Sequence, residues 1–284
     1  MNDPIARCPT CRESMGRKYC PACGEKRVGS QDHLLRHFLE RMFEAFTNAD
    51  GKVFLTVRLL LTQPGRLSAD YARGRRKPYI PPLQLFLICN LIFFLLHPLI
   101  GSNMLTTELN AQLHYTWHQA VVQSLVTPRL AARGLTVEAY AAIFDPAAVT
   151  LAKSLVILVV PIFSLALLAL YWRQQRHYAA HLVFSLHFCA FWLLLICATL
   201  ALTNLVIRLL RSAAIFPSAE AVSRGIIIFS LAIMTAYLFR AVRAVFDREA
   251  FWVTAAKALA LGIALDLSLQ AYRFALFFIT FWST

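Results

Sequence analysis

Hydrophobic positions along this chain gather into long runs with few or no charges. The runs cover residues 83–100, 154–172, 181–207, 221–239 and 250–282. Each is close to or longer than the roughly 20 apolar residues that carry a helix across a bilayer. A helix apolar on every side has no face to offer water, so the pattern predicts five transmembrane helices. The third run exceeds the hydrocarbon thickness, which places its ends in the interfaces. The fourth has Arg224 near one end, where a long cation can snorkel. The fifth contains Lys257, Asp266 and Arg273, yet its last nine residues, Phe-Ala-Leu-Phe-Phe-Ile-Thr-Phe-Trp, would make a poor soluble surface.

The polar remainder divides in two. Residues 1–82 precede the first run as a head. Residues 101–149 separate the first two runs and are too long for a plain connector. They read as two amphipathic helices, one over about 107–126 and one beginning after Thr136, whose hydroxyl suits an N-cap. No internal repeat and no low-complexity tract is visible. The first 30 residues lack the short apolar core of a secretory signal, so none is expected.

Composition sharpens the reading. The chain is 58% hydrophobic and only 15% charged, where about 25% charged is ordinary. That excludes a disordered chain and argues against a water-soluble globule. The formal charge of +13 is unevenly placed. Residues 1–82 hold 15 of the 28 Lys and Arg. Arg173, Arg176, Arg240, Arg243 and Arg248 follow the second and fourth runs, on the same side. The other side has Arg129, Arg133, Arg208, Arg211 and Arg224. Cations favour the cytoplasmic side. The expected topology therefore has the N-terminus cytoplasmic and the C-terminus external.

The clearest chemistry lies in the cysteines. Cys8, Cys11, Cys20 and Cys23 form two Cys-x-x-Cys pairs separated by eight residues. Two such knuckles can set four thiolates at the corners of a tetrahedron, which suits zinc at about 2.3 Å per sulfur. Pro9, Pro21 and Gly24 are residues that tight turns favour. A cytoplasmic location disfavours disulfides, and a redox pair would not need two copies. A closed four-cysteine zinc site is structural, with no open position for substrate. Rubredoxin-like iron is the competitor. Cys89, Cys189 and Cys197 lie inside apolar runs and behave as small apolar residues. The expected fold is all-α and membrane-embedded. A zinc ribbon occupies 1–29, interfacial helices and a basic segment 30–82, and the bundle 83–284.

Within 30–82, Ser30 is positioned to cap a helix running to about residue 47. Its apolar stripe (Leu34, Leu35, Phe38, Leu39, Met42, Phe43 and Phe46) suits the bilayer surface. Asp50 can begin a further helix that Gln63, Pro64 and Gly65 stop, and Gly74 ends the next. Arg73, Arg75, Arg76 and Lys77 then form a cationic cluster flanked by Tyr71 and Tyr79. Such clusters gain roughly 1 kcal/mol per charge from an anionic leaflet. A topology signal alone accounts for them more simply.

This stretch resembles a bacterial membrane family of unknown function, number 3667 in the domain-of-unknown-function series. The positions carrying the resemblance are Asp50, Phe54, Thr56, Pro64, Gly65, Tyr71, Gly74, Arg76, Tyr79 and Pro82. Gly51 departs from it, as a weak helix former. A second block, with Tyr178, His181 and His187, is also similar. The resemblance implies a multi-span membrane protein with a ribbon head, and it implies no activity.

Ionisable groups inside membrane segments are functional hypotheses by default. Asp266 and Arg273 are seven apart and share a helix face, so an intrahelical pair is the simplest expectation. Lys257 is expected to snorkel. His33/His37, His114/His118 and His177/His181 are each four apart, which amphipathic faces explain more cheaply than metal. Asn90 and Asn204 are expected to bond between helices. No Walker loop, nucleophile elbow or dinucleotide fingerprint is present. The leading reading is a binding or scaffold role at the cytoplasmic face, with anionic headgroups or a cytoplasmic protein as partner. Nucleic acid is disfavoured because the basic residues interleave with membrane-facing ones. One alternative is transport or lipid handling through Asp266, Arg273, His181 and His187. The other is a membrane enzyme using Tyr178, His181 and His187.

Overall fold

The computed structural model describes residues 6–15, 19–25, 51–100, 105–175, 177–212, 218–246 and 249–284. The expected helix capped by Ser30, the pair His33/His37 and Asp50 lie outside these residues. Two short antiparallel strands, β1 (Ala6–Arg7) and β2 (Ser14–Met15), belong to the cysteine head. All other described elements are helical. They are α1 (Lys52–Thr62), α2 (Arg66–Ala72), α3 (Pro82–Ile100), α4 (Leu109–His114), α5 (Gln119–Arg133), α6 (Val137–Leu155), α7 (Val159–Tyr171), α8 (Tyr178–Ser212), α9 (Ala219–Val245) and α10 (Phe251–Ser283).

Among the described residues, four helical stretches are long and apolar enough to cross a membrane: Val137–Tyr171, Tyr178–Ser212, Ala221–Val245 and Phe251–Ser283. The hydropathy pattern predicts five. The first run folds as α3, an apolar helix whose Pro82–Leu96 part is shorter than those four. The second run is joined to the segment before it. α6 begins at Thr136, whose hydroxyl accepts the Ala139 amide as expected of an N-cap, and continues through a 3-10 stretch at Val156–Leu158 into α7. Pro161 lacks the amide that would bond the Ile157 carbonyl. Just before this irregularity, the Asn90 amide donates to the Lys153 carbonyl at 3.0 Å, tying α3 to α6 as an interhelical bond. Asn204 donates to Leu200 of its own helix at 3.2 Å.

α8 is the hub. Its residues from His181 to Leu193 are buried nearly without interruption, and α3, α7 and α9 pack around it. The outside of the bundle stays apolar, with Leu91, Leu165, Leu205, Ile228, Phe229, Leu259 and Ile263 all exposed. A surface of this kind needs lipid rather than water. Exposed aromatics mark both ends: Trp172, Phe251 and Trp252 at one, Tyr115, Trp117 and Trp282 at the other. Trp252 and Trp282 are thirty residues apart on α10, about 45 Å at 1.5 Å per residue. That matches a bilayer with its headgroups, about 40–45 Å.

The segment 105–149 caps the end where α10 finishes. The predicted helix over 107–126 is broken at residues 115–118 into α4 and α5. Arg129 donates to the Phe281 carbonyl and lies 3.6 Å from the Phe281 ring centroid. Arg133 donates to the Thr284 carbonyl at 2.9 Å. Both cations therefore meet the negative end of the α10 dipole. The break also separates His114, which is exposed, from His118, which is buried beside Gln112 at 2.8 Å. These two do not share a helix face.

At the opposite end, α1 and α2 pack on α8 and α9. Gly65, with φ at +79°, forms the turn between α1 and α2. A Cβ there would strike the Ala241 carbonyl oxygen and lie 2.8 Å from its Cα. Glycine is needed twice over, for the turn and for the close approach of α9.

Gly65→Ala is expected to cost about 3 kcal/mol, as left-handed strain and overpacking add. Gly134→Ala, where φ is +61° and a Cβ meets nothing, should cost about 1 kcal/mol. Thermal unfolding in detergent would rank them. Burial also holds His118 below its usual pKa of 6.5. The unfolded chain then takes up a proton that the folded one refuses, so stability is lost as pH falls below about 6.5. His118→Gln should flatten that part of the Tm-against-pH curve; an unchanged slope would contradict the assignment.

Candidate metal centre and its seat

Residues Cys8–Glu13 and Cys20–Glu25 fold alike. In each, the first cysteine amide donates to the glutamate carbonyl at 2.8 Å, Cys8 to Glu13 and Cys20 to Glu25. In each, the residue after the second cysteine donates back, Arg12 to Cys8 at 2.9 Å and Gly24 to Cys20 at 2.8 Å. Arg12 and Gly24 take the same left-handed conformation, with φ of 67° and 68°. The chain thus contains a short repeat, against the expectation of none: Cys-Pro-Thr-Cys-Arg-Glu and Cys-Pro-Ala-Cys-Gly-Glu. Arginine standing where glycine is expected disguises it.

The two knuckles bring four sulfurs together. All lie within 4.8 Å of one another, Cys8–Cys23 at 3.5 Å and Cys11–Cys20 at 3.4 Å. A tetrahedron with 2.3 Å arms has edges of about 3.8 Å, so the set fits a metal ion. The cysteines are free of disulfides. The Cys23 amide, aided by that of Ala22, holds the Cys20 thiol down to about 7, whereas, against backbone amides, burial and neighbouring sulfurs push Cys11 up to about 12 and raise Cys23 as well. Thiolate is the metal-binding form.

The knuckles differ in what their glutamates do. Glu13 is exposed. Glu25 is buried, and one carboxylate oxygen accepts the Thr10 hydroxyl at 2.7 Å and the amides of Lys77 at 3.1 Å and Arg76 at 3.2 Å. The Lys77 ammonium donates to the Cys23 carbonyl. The head is thereby docked on the segment before α3.

That segment is shaped by one acid. Residues 51–82 carry seven Lys and Arg and a single carboxylate, Asp70. Asp70 is buried; Arg66, Arg73 and Arg75 approach it at 3.8, 3.9 and 3.9 Å, and the Tyr79 hydroxyl donates to it at 2.6 Å. Burial, and then this hydrogen bond, push the Tyr79 hydroxyl above its usual pKa. α2 ends in a Schellman motif: Gly74 (φ +87°) donates to Tyr71, and Arg75 donates to Asp70. The Arg76 guanidinium lies 4.3 Å from the Tyr71 ring centroid. The Thr56 hydroxyl accepts the Ile80 amide at 3.2 Å.

Of the sequence-selected cations, then, Arg73 and Arg75 reach toward Asp70, Arg76 covers Tyr71, and Lys77 meets the ribbon. Arg73 keeps a side chain 71% exposed. Asp70 and Glu25, which hold the arrangement, were not singled out by sequence. The signal for Asp70 was its isolation among cations.

The intramembrane candidates do not converge. The His187 Nδ1 lies 2.8 Å from the Ser68 hydroxyl, which pins α2 to α8. Nucleophile–base pairs look like this, but the cavity beside it is about 10 Å³, room for one water at most. His181 Nε2 meets the Gln175 carbonyl at 2.8 Å, while His177 precedes the helix and is exposed. The Tyr178 hydroxyl accepts from Ser164 at 2.6 Å. Asp266 points outward among Ile263 and Leu267, and no ion pair joins it to Arg273 among the described residues. The expected intrahelical pair is absent because Asp266 takes the outer face of α10. Lys257, expected to snorkel, meets Glu249 at 2.6 Å beneath the Tyr171 ring.

Asp70→Asn should remove about 2–3 kcal/mol, since Tyr79 loses an ionised acceptor and the arginines a counter-charge. In a double-mutant cycle with Tyr79→Phe, the coupling should exceed about 0.5 kcal/mol. Additive losses would mean the contact carries little.

No curated protein and no solved structure matches the chain. Residues 50–94, which contain this seat and most of α3, match the family model described as Protein of unknown function (DUF3667), as the resemblance implies.

Proposed function

We propose that this is a multi-pass protein of a bacterial inner membrane whose zinc-loaded ribbon is a binding head held at a fixed attitude on the bundle. The observation that carries the reading is the grip of Glu25 on the Arg76 and Lys77 amides. A ribbon meant only to stabilise itself needs no such anchorage. The grip leaves Arg7, Arg12, Glu13 and Tyr19 exposed as a face for a cytoplasmic protein. Zinc is the metal the four-thiolate set suits best. The excess of cations in the head supports a cytoplasmic position for it. α3 serves as the fifth span, with Leu91, Ile92, Leu95 and Leu96 toward lipid.

Transport through the polar candidates is not supported by their positions. His181 and His187 are buried in separate hydrogen bonds, and Asp266 faces away from both. The packed surroundings of Ser68 and His187 leave the enzymatic reading without a substrate space.

Metal analysis of the purified chain should give about one zinc per chain. Hydrogen exchange should find the Arg76 and Lys77 amides protected in the loaded protein. Chelation, or Glu25→Lys, should speed their exchange by at least about tenfold. Equal exchange with and without metal would refute the docked head. Photo-crosslinking in cells from position Tyr19 should yield a discrete protein adduct that Glu25→Lys diminishes; no adduct from Tyr19 or Arg12 would remove the binding role.

A further inference from the structure

Beside the seat, the turn between α1 and α2 and the last turns of α9 enclose an open cleft of about 470 Å³. That is within the range of small-ligand sites, about 300–1,000 Å³. Gln63 and Pro64 form one wall, and Phe239, Arg240 and Arg243 the other. We propose that this cleft binds a phosphate group, presented by an anionic lipid at the level of the headgroups.

The charge is right. Two guanidiniums line the cleft, and no carboxylate does among the described residues. α1 and α9 both end here, and each helix C-terminus contributes about half a negative charge. Two full positive charges outweigh them. The Gln63 carbonyl oxygen is taken by Arg66, so the amide NH2 is the group it has left to offer, a donor. Guanidinium favours phosphate over a simple point charge because its paired N–H groups match two oxygens. The Arg243 guanidinium lies 5.4 Å from the Phe239 ring centroid, which gives the cation an aromatic neighbour.

The depth is right as well. Phe239 touches Phe251 edge-on, with centroids 5.1 Å apart, and Phe251 in turn touches the exposed Trp252. The cleft therefore lies level with one aromatic girdle of the bundle, where headgroups sit. α1 presents Phe54, Leu55 and Leu61 outward, an apolar edge suited to acyl chains at the interface. Arg240 and Arg243 need not be topology signals alone, because the turn at Gly65 packs against α9 at Ala241 and shapes a recess around them.

The test uses the full chain, purified in an uncharged detergent and titrated with phosphatidylglycerol, phosphatidylcholine or inorganic phosphate. Native mass spectrometry would count bound lipid. Phosphatidylglycerol should bind in preference to phosphatidylcholine. Arg240→Gln/Arg243→Gln should weaken it by about tenfold or more. Arg208→Gln/Arg211→Gln, at the other end of the bundle, should leave it unchanged. Gln63→Glu supplies a second route, placing a negative charge in the cleft without touching either arginine, and should also weaken binding. Competition by inorganic phosphate would show that the cleft accepts the free anion too; no competition would assign it to the lipid. Undiminished phosphatidylglycerol binding in both cleft variants, or an equal loss in the Arg208/Arg211 control, would overturn the proposal.

Discussion

The buried carboxylate of Asp70 is the interaction on which the membrane-proximal architecture rests. Three arginines and a tyrosine converge on it, and the segment 71–79 can turn back on itself because that charge is there to be answered. The turn fixes where the Arg76 and Lys77 amides point. Those amides hold Glu25, and Glu25 holds the ribbon. A chain of local electrostatic choices thus links the four-cysteine cluster to the helical bundle. Each link costs desolvation that only its neighbour offsets.

Much of this was legible in the sequence, for identifiable reasons. The cysteine cluster was readable because its geometry is local: ligand spacing within two tight turns is a property of a dozen residues. The apolar helices were readable because a bilayer demands composition rather than pattern. Thr136, Gly65 and Gly74 were readable as punctuation, because caps and left-handed turns have residue preferences. The histidine pairs misled. A spacing of four implies a shared face only within one helix, and both described pairs straddle a helix boundary. Ser68 with His187, and Gly65 with Ala241, are contacts between residues more than a hundred positions apart. No local rule points to them.

Polar side chains within the bundle follow a consistent economy. Asn90 satisfies a carbonyl next to an irregular turn, His187 ties a peripheral helix to the hub, and Lys257 meets Glu249 at the membrane edge. The first two join elements distant in sequence, and the third ties α10 to a residue just before it. In an apolar medium such bonds specify which helices meet and in which register, where apolar packing alone would tolerate sliding. Asp266 is the exception, an acid on an outward face amid aliphatic neighbours.

The doubled knuckle carries a consequence for how the head is seated. Two copies of one six-residue unit fold alike, so the head offers two similar knuckles that could in principle face the bundle. Position 12 and position 24 break that degeneracy. At position 24, glycine leaves room for the Lys77 ammonium, which a Cβ would meet at 2.5 Å. At position 12, arginine would set a bulky like charge against the same lysine. The knuckle that carries Gly24 is the one seated against Lys77, while the other copy contributes Thr10 to the grip on Glu25.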